Sequence, residues 1–257
     1  MTVCGTVRKL ALQSYCSLNY WVKMSLATCR NLLGVFGTIG SGKSYFAKLA
    51  AHDRGYDYVS ADTVFKEYVR PLATYREALC IFFESYGVAA IASDGSYNSK
   101  AMTSLLFTRG AWYNPWKMLN KFNKMNLPFL LSALDQVVSD KPTILEMAPM
   151  VSVPQVWDAC SLRLCIESSE SLNSCVRRIL ARDVQRNEQQ TRAIYEYQQH
   201  LLTRYHEKCC FTFRMPDYYS IYNQNPDGFI PDEDMLAQFD TIMSLYGKRK
   251  DLTAKHT

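Results

Sequence analysis

The sequence has no acidic residue before Asp53, although the 257-residue chain contains 24 aspartates and glutamates. Six basic residues lie in this acid-free stretch: Arg8, Lys9, Lys23, Arg30, Lys43 and Lys48. They account for the formal net charge of +5, because the rest of the chain has 23 basic residues against 24 acidic ones. A nearly neutral body is not typical of a protein that binds duplex nucleic acid, so we expect no such partner.

The nine cysteines form no C-x-x-C pair, and their number is odd. Both features argue against a disulfide framework and against a zinc ribbon, and they favour a reducing compartment. The sequence also lacks an apolar run approaching the roughly 20 residues that span a bilayer, so no membrane anchor is expected. A cytoplasmic location is the prediction. A mitochondrial one is the alternative, because residues 1–30 have the composition of a presequence.

A glycine-rich stretch, GTIGSGKS, begins at Gly37 and carries the most specific signal in the sequence. It matches G-x-x-x-x-G-K-[ST] through Gly37, Gly42, Lys43 and Ser44. The apolar residues 32–36 before it indicate a buried strand, and residues 46–50 after it have helical spacing. A glycine-rich loop that joins a strand to a helix presents backbone N–H groups and a positive helix end to phosphates. The stretch therefore predicts a nucleotide site.

Within this site, Lys43 is expected to contact the β- and γ-phosphates, and the Ser44 hydroxyl is expected to bind Mg²⁺. ATP and Mg²⁺ are thus the predicted cofactors. The predicted nucleotide-binding set comprises Gly37, Thr38, Ile39, Gly40, Ser41, Gly42, Lys43, Ser44 and Tyr45.

Further apolar runs alternate with helical segments along the chain. Residues 56–59, 142–149 and 162–168 indicate strands, whereas residues 64–140 are mostly helical, with interruptions at 93–99, Pro115 and Pro128. Residues 170–208 form one or two charged helices, and the tail at 215–246 is expected to give a short strand, a loop rich in proline and glycine, and a last amphipathic helix. Strands that alternate with helices predict an α/β fold with a doubly wound parallel sheet flanked by helices.

Several stretches together resemble the dephospho-coenzyme A kinases, a family with the P-loop kinase fold. They are GTIGSGKS, the SAD tripeptide at 60–62, YGVAAIASDGSYNSKAMTSLLF at 86–107, MLNKFNKMNLPFL at 118–130, TILEMAPM at 143–150, RRILARD at 177–183 and YYSIYNQN at 218–225. The chain departs from the family pattern at four points: Ser60 replaces an aspartate, Ser99 an arginine, Asn126 or Leu127 a histidine, and Cys175 a glutamine. Several of these departures fall in stretches that the resemblance assigns to the acceptor.

The resemblance implies a domain plan. A kinase domain covers 31–245, with a helical acceptor-binding insertion at about 64–140 and a lid at about 170–208. Residues 1–30 are an N-terminal extension or a cleaved leader, and 246–257 form a basic C-terminal tail. The sequence does not indicate an oligomeric state.

Five further residues become candidates for the site. By resemblance Asp62 is the catalytic base, with a helix N-cap as its alternative, and Asn223 lies at the nucleotide. Arg178 and Arg182 share a helix face and are expected to clamp phosphates, unless they belong to a solvated helix paired with Asp183 and Glu188. Glu146 ends a predicted core strand, where a buried carboxylate needs Mg²⁺ or a lysine as partner, so it is the second candidate metal residue.

The expected function is ATP- and Mg²⁺-dependent phosphorylation of the ribose 3′-hydroxyl of dephospho-coenzyme A. A (deoxy)nucleoside monophosphate kinase is the alternative enzyme, and either acceptor is a small nucleotide-like molecule. A catalytically inactive nucleotide-binding protein is the alternative outside enzymes.

Overall fold

A computed structural model describes residues 31–107, 116–148, 150–183, 187–205, 211–215 and 233–254. These residues divide into two compact units. One unit is the helical segment Val64–Val138. The other contains all the described strands and is formed by the chain on either side of that segment.

The sheet unit is built on five strands in the described residues. They are β1 (Leu32–Phe36), β2 (Asp57–Ser60), β3 (Thr143–Glu146), β4 (Leu162–Ser168) and β5 (Phe211–Met215). Their order in space is β2-β3-β1-β4-β5, and every neighbouring pair is parallel. The predicted fold class, a doubly wound parallel sheet flanked by helices, is confirmed. Because all the strands run in one direction, the ends of β1, β2 and β3 meet at the same edge of the sheet.

One face of the sheet packs on helices α1 (Lys43–Arg54) and α9 (Glu233–Ala254). Leu33 and Val35 of β1 point into this layer, where Phe46 of α1 lies between Phe213 of β5 and Phe239 of α9, with ring centroids 4.9 and 5.9 Å away. Residue periodicity explains the arrangement, since alternate strand residues face one side. The predicted basic tail at 246–257 does not start a separate segment, because the backbone of α9 continues through it to Ala254.

On the opposite face, Phe36 contacts Trp157 of α6 (Pro154–Ala159) edge-on, with ring centroids 5.2 Å apart. Gly34 lies on this face, and a Cβ there would come within 2.6 Å of the Met150 sulfur. Only glycine therefore lets that side chain reach the strand. With both faces covered, the strands are apolar throughout, as is usual for parallel sheets.

The helical unit contains a π-helical turn (Phe65–Val69) and helices α3 (Ala73–Glu84), α4 (Ser99–Leu106) and α5 (Lys117–Val137); the short helix α2 (Ala61–Val64) leads into it. Its interior is aromatic. Tyr75 packs edge-on between Phe65 and Phe129, at 5.3 Å from each. Phe122 contacts Phe83 at 5.7 Å. These contacts join α3 to α5.

Pro128 was predicted to interrupt this region, and that prediction is wrong, because it lies inside the continuous helix α5. A proline in a helix interior removes one backbone hydrogen bond and costs about 3 kcal/mol. Burial of Leu119, Leu131 and Leu134 on the same helix offsets that loss. The other proline predicted to interrupt the region, Pro115, lies outside the described residues.

The charged segment after β4 forms two helices, α7 (Leu172–Arg182) and α8 (Glu188–Tyr205). Strand β5 follows them and was not predicted as a strand, whereas the stretch YYSIYNQN lies outside the described residues. In the part of the chain that the structure describes, no helix is long and apolar enough to cross a bilayer.

Candidate active site

The loop between β1 and α1 has the geometry of an anion cradle. Gly42 precedes the first helical residue with φ 87°, a left-handed conformation that favours glycine. A Cβ at Gly37 would lie 2.3 Å from the Ile166 carbonyl oxygen, so the loop can pass β4 only with glycine there. The first N–H groups of α1 have no intrahelical partner and carry the positive end of the helix dipole, which suits a phosphate.

A buried carboxylate lies beside this cradle. Glu146, the last residue of β3, is 5% exposed. Its Oε1 accepts a hydrogen bond from Ser44 Oγ at 2.8 Å and lies 3.6 Å from Lys43 Nζ. Tyr58 of β2 donates its hydroxyl to Oε2 at 2.6 Å. Burial and the hydrogen bond to the carboxylate raise the pKa of Tyr58 above its ordinary range, so the hydroxyl stays a donor.

This group of side chains fits Mg²⁺ but does not enclose it. Ser44 and Glu146 offer oxygen donors 2.8 Å apart, the kind of ligand that Mg²⁺ prefers. In the described ranges, no group of three or more histidine, cysteine or carboxylate side chains could hold a metal ion. A site with few protein ligands is typical of Mg²⁺ that arrives with a nucleotide and keeps phosphate oxygens and waters as its other ligands.

Asp62 lies two residues beyond β2, and the last residue of that strand, Ser60, pairs with Glu146. The helix begins at Ala61, so Asp62 falls in its first turn. The alternative interpretation of Asp62 as the N-cap is therefore wrong, because the cap position belongs to Ser60. Asp62 is solvent-exposed beside the edge where β2 and β3 end.

The two predicted lid arginines have different surroundings. Arg178 of α7 donates to the Glu170 carboxylate and to the backbone carbonyl of Gly40 in the phosphate loop. The second Glu170 oxygen is buried and has no hydrogen-bond partner in the described residues. Arg182 is exposed at the last residue of α7. Glu188, once an alternative partner for these arginines, instead pairs with Arg192 at 2.8 Å.

Side chains of helix α8 contact the same loop. The Ile39 backbone N–H donates to Gln198 Oε1, and Tyr195 hydrogen-bonds with the Thr38 side chain. Burial raises the pKa of the Tyr195 phenol. The loop is therefore held by α7 at Gly40 and by α8 at Thr38 and Ile39.

Comparison with known proteins agrees with this geometry. The dephospho-CoA kinase family model matches residues 31–207. The chain belongs to the dephospho-CoA kinase family. It is 27% identical to the dephospho-CoA kinase of Vibrio cholerae over 161 residues, which cover 62% of this chain and 74% of the relative. The predicted resemblance is confirmed.

Solved structures with the same fold include TT1252 from Thermus thermophilus, with a TM-score of 0.53 and 17% identity over 77% of this chain and 98% of that one. The dephospho-CoA kinase from Campylobacter jejuni gives a TM-score of 0.42 at 18% identity, over 82% of this chain and 97% of that one. As a member of the dephospho-CoA kinase family, the chain is an ATP-dependent kinase of coenzyme A biosynthesis, with a small nucleotide-like substrate.

The predicted residues of this family member are brought together unevenly. Lys43, Ser44 and Glu146 share one cluster, and the loop residues from Gly37 to Gly42 directly precede Lys43 in the chain. Tyr45 packs against the core of the sheet unit. Asn223 lies outside the described residues, so its predicted contact with the nucleotide stays a prediction.

Four site residues were missed by sequence reasoning: Tyr58, Glu170, Tyr195 and Gln198. Only Tyr58 left a signal. It precedes Ser60 by two residues and therefore faces the same side of β2 as the residue that pairs with Glu146. Tyr195 and Gln198 contact the loop from a helix distant in sequence, and Glu170 binds Arg178, which contacts the loop. No local pattern reports such contacts.

Proposed function

We propose that this chain transfers the γ-phosphoryl group of ATP to the ribose 3′-hydroxyl of dephospho-coenzyme A. The observation that supports the proposal is the cluster of Lys43, Ser44 and Glu146 at the phosphate loop, in a member of the dephospho-CoA kinase family. In the reaction, the 3′-oxygen forms a bond to the γ-phosphorus while the bond to the β-phosphate oxygen breaks. ADP leaves, and the hydroxyl proton goes to a carboxylate.

The donor phosphates are held by the loop backbone and by Lys43. The Lys43 side chain is 10% exposed, and its Nζ lies 3.6 Å from Glu146 Oε1, so the ammonium group is held near the start of α1. A cation held in place at the phosphates stabilises charge that grows in the transition state, and no reorganisation is needed at that moment.

Mg²⁺ is proposed to bind with the nucleotide through the Ser44 hydroxyl, with Glu146 as a carboxylate near the ion. When bound, the ion neutralises phosphate charge and orients the β- and γ-phosphate oxygens. Glu146 fits this role because it already accepts a hydrogen bond from Ser44 Oγ at 2.8 Å.

Asp62 is proposed to accept the proton of the 3′-hydroxyl. It is exposed, and it lies close in sequence to the point where β2 and β3 end side by side. A general base must meet the acceptor hydroxyl at hydrogen-bond distance, which favours an accessible carboxylate over the buried Glu146.

Between the lid arginines, Arg182 is the better candidate for a phosphate contact. Arg178 already donates to Glu170 and Gly40, and moving its guanidinium away would leave a buried carboxylate without its cation. Arg182 is exposed one helical turn further on. The predicted clamp by both residues requires Arg178 to keep its hold on the loop while Arg182 reaches the phosphates.

An acceptor panel tests the function. Purified chain with Mg-ATP is offered dephospho-coenzyme A, deoxynucleoside monophosphates and nucleosides, and ADP release is measured. Turnover confined to dephospho-coenzyme A is expected. Turnover confined to monophosphates would favour the alternative kinase. ATP binding without turnover on any acceptor would favour the inactive nucleotide-binding protein.

A further inference from the structure

The Glu146 carboxylate is held at both oxygens by different parts of the chain. Its Oε1 faces the phosphate loop, where Ser44 Oγ lies 2.8 Å away and Lys43 Nζ lies 3.6 Å away. Its Oε2 faces β2 and accepts the Tyr58 hydroxyl at 2.6 Å. The loop therefore contacts one oxygen, and the neighbouring strand fixes the other.

Strand register explains why Tyr58 can do this. Ser60 pairs with Glu146, and Tyr58 pairs with Ile144. Tyr58 and Ser60 lie two residues apart on one strand and so face the same side of the sheet. The long phenol side chain reaches diagonally to the carboxylate, and its hydroxyl also meets the Ser60 side chain.

The orientation of this carboxylate has a consequence for the loop. An ionised carboxylate accepts hydrogen bonds only, and a terminal carboxylate torsion has broad minima. Glu146 is 5% exposed, so solvent has little access to satisfy or orient Oε2. With Tyr58 in place, rotation that would carry Oε1 away from Ser44 breaks the bond at Oε2 as well.

We propose that Tyr58 is a positioning residue of the kinase, which acts through Glu146 to keep the carboxylate turned toward Ser44 and Lys43 when the Mg-nucleotide binds. The proposal rests on the proposed role of Ser44 and Glu146 in Mg²⁺ binding. Outer-shell groups that orient a carboxylate near a metal commonly change metal affinity or activity by 10- to 100-fold when removed.

The test compares Tyr58→Phe with Tyr56→Phe. The first change removes only the hydroxyl that meets Glu146. The control removes a hydroxyl from a half-buried tyrosine two residues earlier, whose ring contacts Phe239 at 6.2 Å. Calorimetry measures the affinity of each variant for ADP, with Mg²⁺ and with chelator, so that no turnover is involved.

For Tyr58→Phe, we expect ADP affinity in chelator to stay within about twofold of wild type, while the gain in affinity on adding Mg²⁺ falls by about tenfold. Turnover should fall through kcat, with the acceptor KM unchanged. Tyr56→Phe should match wild type in all these measurements. A wild-type gain from Mg²⁺ in Tyr58→Phe would overturn the proposal, as would an equal loss of affinity with and without the ion.

A double-mutant cycle with Glu146→Gln shows whether Tyr58 acts through the carboxylate. In the Glu146→Gln background, Tyr58→Phe should have no further effect on the Mg²⁺ gain. A full additive effect would contradict the proposal. Because the probe is ADP, these binding results do not depend on which acceptor the enzyme uses. Absence of wild-type turnover on dephospho-coenzyme A would refute the proposed function, and the binding measurements would still decide the role of Tyr58.

Discussion

The sheet unit and the helical unit use their charged side chains in different ways. In the sheet unit, buried ion pairs surround the phosphate loop, with Lys43 on Glu146 and Arg178 on Glu170. In the helical unit, cations lie over tyrosine rings, as Arg70 and Arg76 do at 4.5 and 5.3 Å from the Tyr97 ring. The sheet unit has cation–ring contacts as well, such as Lys48 at 5.8 Å from the Tyr58 ring, so what distinguishes it is the two buried ion pairs beside the phosphate loop.

Two of the four departures from the family pattern lie in the helical unit, and the other two, at Ser60 and Cys175, lie in the sheet unit. The phosphate-loop motif is complete in the sheet unit, whereas Ser99 and Asn126 or Leu127 replace expected arginine and histidine residues in the helical unit. The Asn126 side-chain oxygen is buried and has no hydrogen-bond partner among the described residues. The phosphate-loop motif is thus kept in full, while the pattern that the resemblance assigns to the acceptor is altered at Ser99 and at Asn126 or Leu127.

Replacement of Lys43 should break the donor side most severely. For Lys43→Ala, we expect kcat/KM to fall by about 10³-fold or more, because a preorganised charge at the phosphates is lost and Glu146 loses its cation. Steady-state ADP release, with circular dichroism to verify folding, is the measurement. Lys141→Ala is the matched control, since that lysine is exposed before β3. Near wild-type turnover by folded Lys43→Ala would remove the phosphate-loop assignment.

The change Asp62→Asn separates proton transfer from nucleotide binding. We expect kcat to fall by about 10²- to 10⁴-fold, the usual range for a general base, with ATP affinity nearly unchanged. Turnover and calorimetric ATP binding are measured together. Asp57→Asn, at the opposite end of β2, is the control and should behave as wild type. Retained kcat in Asp62→Asn would exclude the catalytic role, and lost ATP binding would move Asp62 to the metal.

A smaller effect is expected at the contact between α8 and the loop. Gln198→Ala removes the acceptor of the Ile39 N–H, a hydrogen bond worth about 1 kcal/mol. The ATP dissociation constant should rise by roughly fivefold. Gln199→Ala is the control, because Gln199 is the next residue of the same helix and its side chain is exposed. Tighter ATP binding in Gln198→Ala would show that the carboxamide competes with phosphate and does not support the loop.

The smallest effect should come from the helical unit. The Tyr97 hydroxyl donates to the Arg70 carbonyl oxygen at 2.6 Å, so Tyr97→Phe should lower the free energy of unfolding by about 1 kcal/mol. ATP affinity should not change. Tyr86→Phe, which removes an exposed hydroxyl contacting Lys121, should leave stability unchanged within about 0.5 kcal/mol. A change in ATP affinity for Tyr97→Phe would contradict the division between the two units. Thermal and urea unfolding provide the measurement.

Elements with strong local signals could be predicted from the sequence. Strands β1 and β4 and the glycine loop were predicted because apolar runs and the motif are local patterns. Strand β5 was missed, since FTFRM is short and its burial depends on Phe46 and α9. The interruption predicted at Pro128 was wrong because the tertiary packing of α5 outweighs the tendency of proline to break a helix.

The same distinction holds in the candidate site. Lys43, Ser44 and Glu146 could be predicted because a motif and a strand end mark them. Arg178 was predicted to face phosphates, yet its contacts with Glu170 and Gly40 depend on how α7 packs on the loop. Gln198 lies 159 residues from its partner Ile39, and no sequence pattern connects the two.

The most direct test of the central claim uses two acceptors that differ by one atom. Wild-type chain with Mg-ATP is offered dephospho-coenzyme A or its 3′-deoxy analogue, and the phosphorylated product is detected by mass spectrometry alongside ADP release. We expect coenzyme A from the first acceptor and no phosphorylated product from the second, because the proposed reaction needs the 3′-oxygen to attack the γ-phosphorus. Phosphorylation of the 3′-deoxy analogue would contradict the proposed reaction. So would a chain that binds ATP but phosphorylates neither acceptor.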